Sequence, residues 1–320
     1  MSSYLYYLLP AVGGYTLTSL FLLRNPQYLH RRKTTAFYST HISHRGGGGE
    51  RIESTVEAFT NAVENGTELL ELDCHMTKDG RVIVSHDENL LRQTGCDVNI
   101  SDCNFEDMPL YKERLEVTFY TGRYSTGTDR RFALLEELFQ KFPRMPINVE
   151  IKEDNEMLIK KVSDLAKTYN REDITVWASV KSHIMKKCRK ENPSMPFAFT
   201  VPRVVQLLLL YYSGLLPFVS VGESFLQGYI PSIINRTFIP ESPILRNRIV
   251  VSLLDKVLMQ KQLFKHLAAR GIQVHLFVCN EDSDFQRAFS LGATGVMTDY
   301  PSRLRDYLTR HPPPPRPASQ

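Results

Sequence analysis

The stretch from residue 44 to residue 87 opens on His44-Arg45-Gly46-Gly47, passes through Leu69-Leu70-Glu71-Leu72-Asp73-Cys74 and closes on Val82-Ile83-Val84-Ser85-His86-Asp87. The middle run decides the fold. It is short, apolar and broken only by two acids two positions apart, which is the pattern of a buried β-strand. Side chains on a strand alternate faces, so Glu71 and Asp73 point one way while Leu70 and Leu72 point into the opposite layer. Ile147-Asn148-Val149-Glu150-Ile151-Lys152 repeats this spacing with Glu150 and Lys152. Outward from these runs the chain alternates strand-like and helical segments. Strands are expected at 42–44, 69–74, 82–86, 147–152, 174–178, 197–200, 218–221, 273–278 and 295–297. Helices are expected at 54–65, 134–142, 155–169, 181–191, 256–270, 284–289 and 301–308. Such alternation predicts an α/β protein with a parallel sheet and crossover helices. A (β/α)8 TIM barrel accommodates it in one domain of about 250 residues with additions. Nine strand candidates are one too many, so Thr77-Lys78-Asp79-Gly80 is either a hairpin turn or a sign that one run is a loop. Residues 88–131 lack a clear period and read as a small insertion over the barrel mouth.

Two carboxylates on one strand face repel each other unless something positive lies between them, and burying them unpartnered costs several kcal/mol. A hard cation with oxygen ligands, Mg²⁺ or Ca²⁺, resolves the conflict, with Glu71, Asp73 and Glu150 as candidate ligands. Lys152 either orients the carboxylates or pairs with phosphate. Arg45 offers a planar fork suited to phosphate oxygens, and His44 and His86 are placed to move protons. Two histidines, three carboxylates and two cations, each set at the end of an apolar run, form an inventory for metal-assisted cleavage of a phosphodiester. In α/β barrels the chemistry sits at the C-terminal ends of the strands, where these residues lie. The glycines at 46–49 allow the backbone to turn sharply against a ligand, but they fit neither the dinucleotide fingerprint nor the P-loop.

The chain has 320 residues and a formal net charge of +4, too mild for a nucleic-acid binder. Its five cysteines are scattered without a Cys-x-x-Cys, which argues against a disulfide framework or zinc site and for a reducing compartment. Residues 4–23 are uncharged and long enough to cross a bilayer, which takes about 20 residues. Arg24, His30, Arg31, Arg32 and Lys33 follow, and no basic residue precedes the run. Residues 1–35 are therefore expected to be a retained membrane anchor, with the basic flank and the catalytic domain in the cytosol. Residues 204–222 form a second uncharged run. A bilayer cannot split a closed barrel, so this run is expected to dip into one leaflet or to be buried. Pro202, Gly214 and Pro217 are expected to break it into short pieces. Residues 311–320 form a proline-rich tail expected to be disordered.

His44-Arg45-Gly46, Glu53-Ser54-Thr55, Glu71-Leu72-Asp73, His86-Asp87, Glu150-Ile151-Lys152 and Gly295-Val296-Met297-Thr298-Asp299-Tyr300-Pro301 resemble the glycerophosphodiester phosphodiesterase family. The likeness runs over residues 40–310. The N-terminal anchor and the apolar insert before Pro217 resemble its small membrane-bound animal branch, whose members act as lysophospholipase D enzymes. This resemblance implies a divalent metal on Glu71, Asp73 and Glu150, with His86 as a further ligand or a partner of one. It implies substrate contacts from Arg45, Lys152, Phe277 and Asn280, and catalysis by His44, His86 and Arg45. It also implies attack on phosphorus by a glycerol hydroxyl, with His44 assigned as base and His86 as acid. The implied substrates are lysophosphatidylcholine and N-acylethanolamine lysophospholipids, at a membrane such as the endoplasmic reticulum, without nucleic acid or protein partners. One departure stands out: the family reads Glu-Asn-Thr where this chain has Glu53-Ser54-Thr55, and Ser54 is expected to serve as a helix cap in place of Asn.

Four rivals are weaker, the first a non-enzymatic membrane lipid-binding protein with a relict site, against which the intact set of His44, Arg45, Glu71, Asp73, His86 and Glu150 argues. A phosphatidylinositol phospholipase C or sphingomyelinase D type of barrel would share the two histidines and the metal. A phosphodiesterase for water-soluble glycerophosphodiesters would need no tether. A serine lipase would need a Gly-x-Ser-x-Gly elbow, which is missing. Topology has a direct test in the acceptor patterns at Asn65-Gly66-Thr67, Asn99-Ile100-Ser101 and Asn235-Arg236-Thr237. A cytosolic domain leaves all three unmodified, and a mass shift on glycosidase treatment of protein from animal cells would reverse the orientation.

Overall fold

A computed structural model describes residues 4–313. Ten strands form: β1 (His41–Ser43), β2 (Leu69–Met76), β3 (Val82–Val84), β4 (Arg114–Glu116), β5 (Tyr124–Thr126), β6 (Ile147–Ile151), β7 (Thr175–Ala178), β8 (Phe225–Tyr229), β9 (Gln273–Phe277) and β10 (Gly295–Thr298). The helices are α1 (Tyr4–Arg24), α2 (Val56–Glu64), α3 (Leu91–Thr94), α4 (Leu135–Lys141), α5 (Glu156–Thr168), α6 (Ser182–Glu191), α7 (Val201–Tyr212), α8 (Pro243–Arg246), α9 (Arg248–Leu258), α10 (Lys261–Ala269), α11 (Asp282–Leu291) and α12 (Pro301–Arg310).

Seven parallel strands lie in the order β7-β6-β2-β1-β10-β9-β8. An eighth stave closes the ring: Phe197 pairs with Trp177 of β7 and Ala198 with Phe225 of β8, both in parallel sense. The fold is the expected TIM barrel, with its eighth stave reduced to two bridges. The period-two reading of β2 holds. Leu70, Leu72 and Cys74 pack outward with Ile147, Val149 and Ile151 of β6 against the helical layer. Glu71 and Asp73 therefore share the inner face, and β6 is in register with Asp73 opposite Glu150.

Several expectations are corrected. The ninth run resolves as a hairpin: β3 pairs antiparallel with β2 through Cys74 and Val84, and Gly80 takes φ +76° in the turn. The segment 218–221 is not a strand. The stave lies a few residues later, at β8, where Gly228 and Gln227 had masked its apolar signal. The helix expected at 256–270 is two helices, α9 and α10, separated at Met259 and Gln260. Ser54 is not a helix cap. It adopts φ +63°, and the cap of α2 is Thr55, whose Oγ accepts from Ala58 N at 3.1 Å. The left-handed region favours Asn over Ser, which gives the family's Asn a backbone reason.

Pro202 stands in the first turn of α7, where proline is tolerated, and begins the helix rather than interrupting it. At 12 residues α7 falls short of the roughly 20 needed to span a bilayer. Residues 88–131 contain α3 and the β4–β5 ribbon, and their buried Tyr111 stacks on Phe132, which follows the segment, at 4.2 Å between ring centroids. α1 is long and apolar enough to cross a membrane. Its second half docks on the barrel through Ser19 Oγ to Gly214 O (2.6 Å) and Leu23 O, which accepts from His266 Nδ1 (2.8 Å). The expected tail at 311–320 falls outside the described residues from 314 onward, as do residues 1–3 of the expected anchor.

Trp177 is fully buried, its indole N–H donating to Asn192 O at 3.3 Å. Trp177→Ala is expected to cost about 3–5 kcal/mol, read as a lowered midpoint in denaturant unfolding of the full chain. A loss of under about 1 kcal/mol would mean that the barrel wall is not close-packed there.

Candidate active site

The site begins where β1 ends. His44–Gly46 form a single tight turn in which Arg45, Gly46 and Gly47 take φ of 49°, 78° and 85°. Glycine tolerates this, and a Cβ on Gly47 would lie 2.7 Å from the Pro301 ring. A bulky residue does not, and a left-handed Arg45 costs on the order of 1–3 kcal/mol unless its surroundings hold it. They do: Arg45 N donates to Glu71 Oε2 (3.0 Å) and Nη1 donates to Glu53 Oε2 (3.2 Å) and Thr118 Oγ1 (3.3 Å). Its Nε lies 3.8 Å from Asp73 Oδ2. The turn thus delivers a buried guanidinium to the inner carboxylates.

Oxygen atoms of Glu71, Asp73 and Glu150 lie within 4.8 Å of one another. Burial, together with Asp73 and Glu150, pushes the Glu71 carboxyl well above its ordinary range. Burial and Asp73 likewise raise Glu150. Asp73 is also buried, yet Lys152, His86 and Arg45 overcome that and hold it low. Lys152 Nζ sits 3.0 Å from Asp73 and 3.5 Å from Glu150. Asp73 Oδ2 and Glu150 Oε1 are buried without a hydrogen-bond partner. Orphaned buried carboxylate oxygens, mutually repelling and converging on one point, are the donor set of a hard divalent cation. The residues present fit such an ion.

Both histidines are oriented by a carboxylate. His44 Nδ1 lies 2.6 Å from Asp299 Oδ1, and His86 Nδ1 lies 2.6 Å from Asp87 Oδ1. A carboxylate accepts only, so each neutral ring carries its hydrogen on Nδ1 and presents the Nε2 lone pair. Burial and the Arg45 guanidinium lower the His86 pKa, against the opposing pull of Asp87. His86 is not among the residues whose oxygens or ring nitrogens converge on the carboxylate cluster. His75, on the same strand face as Glu71 and Asp73, faces away to Glu88 at 3.1 Å.

Asn280, expected to contact substrate, is spent on the protein. Its Oδ1 accepts from Asp299 N (2.9 Å) and Thr298 Oγ1 (3.1 Å), while Nδ2 donates to Asp299 Oδ2 (2.8 Å) and Phe119 O (3.3 Å). All four of its hydrogen-bonding positions are filled, so it positions the carboxylate that positions His44. Phe277 remains a half-buried wall, with Tyr229 at 4.5 Å between ring centroids. Glu53 neither caps a helix nor joins the metal cluster. Arg92 Nη2 donates to it at 2.6 Å, Arg45 supplies the second cation, and together they hold its carboxyl at about 2 against burial. Arg92 also donates to Asp87 at 2.6 Å, tying the His86 pair to the Arg45 pair. Sequence reasoning missed Arg92, Thr118 and Phe119, all in the segment 88–131. Asp87 was visible as the neighbour of His86, and Asp299 as the acid ending the last strand.

A barrel whose mouth carries buried acids for a cation, cationic forks and two carboxylate-oriented histidines has the equipment of a phosphodiesterase. The sequence model of the Glycerophosphoryl diester phosphodiesterase family matches residues 44–303, and the chain belongs to that family. It is 50% identical to Lysophospholipase D GDPD3 of Homo sapiens, covering 98% of each chain. It is 51% identical to Lysophospholipase D GDPD1 of Homo sapiens, over 95% of this chain and 96% of the relative. Among solved structures, a putative glycerophosphoryl diester phosphodiesterase from Silicibacter pomeroyi DSS-3 shares the fold. Its TM-score is 0.62 at 18% identity, over 88% of this chain and 95% of that one. A phosphodiesterase from Oleispira antarctica in complex with sn-glycerol-3-phosphate matches with a TM-score of 0.58 at 18% identity, over 86% of this chain and 98% of that one.

Asp299→Asn keeps the size of the side chain but leaves one acceptor oxygen where two are used, by His44 Nδ1 and by Asn280 Nδ2, so the His44 tautomer is no longer fixed. A fall in kcat of about 10²-fold or more, with little change in KM, is expected. A fall confined to KM would instead mean that Asp299 serves substrate binding.

Proposed function

We propose that the protein is a lysophospholipase D, a metal-dependent phosphodiesterase that hydrolyses lysoglycerophospholipids. Lysophosphatidylcholine gives lysophosphatidic acid and choline, and N-acylethanolamine lysophospholipids are cleaved in the same way. The observation that carries this reading is the convergence of Glu71, Asp73 and Glu150 beside Arg45 and Lys152 at the barrel mouth. Identity of 50% over nearly the whole chain to a relative named lysophospholipase D supports the substrate class.

Glu71, Asp73 and Glu150 would hold one Mg²⁺ or Ca²⁺. When bound, such an ion supplies positive charge to the phosphoryl oxygens as they become more negative. The protein's own residues do the rest. Arg45 and Lys152 bind the phosphodiester and set its orientation. The free 2-hydroxyl of the glycerol attacks phosphorus, the P–O bond to choline breaks, and a cyclic phosphate forms. Water then opens the ring to leave lysophosphatidic acid. One imidazole takes the hydroxyl proton and the other delivers a proton to the departing alcohol. His44, steadied by Asp299, is the acceptor and His86, held by Asp87, the donor, in the order taken from the sequence.

The chain divides into an anchor over 1–35, a catalytic barrel over 40–310 with 88–131 above its mouth, and an apolar membrane-associated segment at 204–222. We place it at a membrane, such as the endoplasmic reticulum, with the barrel in the cytosol and the lysophospholipid as its partner. The exposed apolar length of α1 supports the tether.

The test is choline release from lysophosphatidylcholine, glycerophosphocholine and diacyl phosphatidylcholine, after chelation and readdition of Mg²⁺ or Ca²⁺. Release from the lyso lipid, abolished by chelator and restored by one ion, is expected, as is a loss of about 10²-fold or more in His44→Ala. Equal release from the diacyl lipid, which has no 2-hydroxyl, would contradict the mechanism.

A further inference from the structure

Beside the carboxylate cluster the barrel wall encloses a cavity of about 320 Å³. Glu150, Gln227, Tyr229 and Phe277 line its inner end, at the site already described. Val204, Leu208, Met259 and Phe264, from α7 and the α9–α10 region, line its outer part. Protein interiors are close-packed, and voids larger than a water molecule are few. A half-open cavity lined mostly by apolar side chains offers few partners to ordered water and suits a hydrocarbon chain.

The outer face of the same helices is apolar as well. On α7 Val201, Val205 and Leu209 are exposed at four-residue spacing, and on α9 Ile249, Leu253 and Val257 repeat the pattern. Tyr212 Oη donates to Val257 O at 2.8 Å and joins the two helices into one surface. α1 docks at the end of α7, with Tyr15 Oη donating to Ser213 O at 2.6 Å. The long apolar helix, the exposed apolar helix faces and the cavity behind them therefore lie on one side of the barrel.

We propose that this cavity is the acyl-chain site. The single chain of a lysophospholipid enters it from the bilayer side, between α7 and the α9–α10 region. Its glycerophosphate end is thereby brought to Glu71, Asp73 and Glu150. This rests on the lysophospholipid reading above and adds to it the place where the chain is held. It also gives the enzyme a reason to prefer a lysophospholipid over a water-soluble glycerophosphodiester: only the former carries a hydrocarbon chain that fills the chamber and holds the phosphodiester at the site. Glu150 serves both ends, as an oxygen donor for the cation and as the polar limit of the apolar chamber.

The test uses the full chain in vesicles of phosphatidylcholine. Leu208→Trp and Val204→Trp narrow the chamber from α7. The ratio of kcat/KM for palmitoyl-lysophosphatidylcholine to that for hexanoyl-lysophosphatidylcholine is expected to fall by about tenfold or more, a difference of about 1.4 kcal/mol. A ratio equal to that of the wild type in both variants would overturn the proposal. A second measurement needs neither turnover nor the variants. Metal-free wild-type protein is irradiated with a lysophosphatidylcholine bearing a diazirine near the end of its chain. Adducts within 199–208 or 258–264 are expected, and adducts confined to other surfaces would overturn the proposal. Failure of the substrate reading looks different: the wild type, fully metallated, would cleave glycerophosphocholine but no lysophospholipid, wherever the probe attached.

Discussion

Three buried carboxylates share the mouth of this barrel, and the structure around them answers their repulsion. Asp73 and Glu150 face each other in register on adjacent strands, with Glu71 one inward-facing position earlier on β2. That arrangement is costly in isolation and useful with a cation. It explains why Arg45 is drawn inward on a left-handed turn and why Lys152, just past β6, reaches Asp73 on the neighbouring β2. It also explains why two carboxylate oxygens remain without a hydrogen-bond partner. An apolar replacement would be easier to fold, so the cluster is retained for what it binds.

The cations brought in to balance the acids also organise the two histidines of the site. Glu53 holds Arg45 and Arg92, Arg92 holds Asp87, and Asp87 orients His86. On the other side Asn280 holds Asp299, which orients His44. Both histidines are thereby set in one tautomer by groups that do not themselves meet the substrate, the second layer that a preorganised site requires. Binding a phosphodiester in this frame places its negative charge against fixed cations rather than against water, which is where most of the rate gain of such sites arises.

Much of this was legible in the sequence because period-two alternation and strand-end position are strong signals. Leu69 to Cys74 was read as a strand with both acids on one face and Lys152 stands just past β6 as read, while Asp73 lies three residues inside the longer β2 and His86 follows the antiparallel β3. The eighth stave falls at 197–198, inside the expected 197–200, and β8 was harder. Phe197 and Ala198 make only bridge pairs, and Gly228 interrupts the apolar run of β8. Ser54 and Asn280 were misread for a shared reason: backbone conformation and a saturated hydrogen-bond network leave no trace in residue type. Arg92, Thr118 and Phe119 reach the site from a segment without periodicity, and only the folded chain brings them there.

The central claim is that Glu71, Asp73 and Glu150 form one cation site. Its most direct test is calorimetric titration of Mg²⁺ and Ca²⁺ into chelator-stripped full-length protein, beside the Glu71→Gln and Asp73→Asn variants. The account predicts one ion per wild-type chain and an affinity weakened by about tenfold or more in each variant, the loss of roughly 1.4 kcal/mol or more. Wild-type affinity retained in both variants would place the ion elsewhere and contradict it.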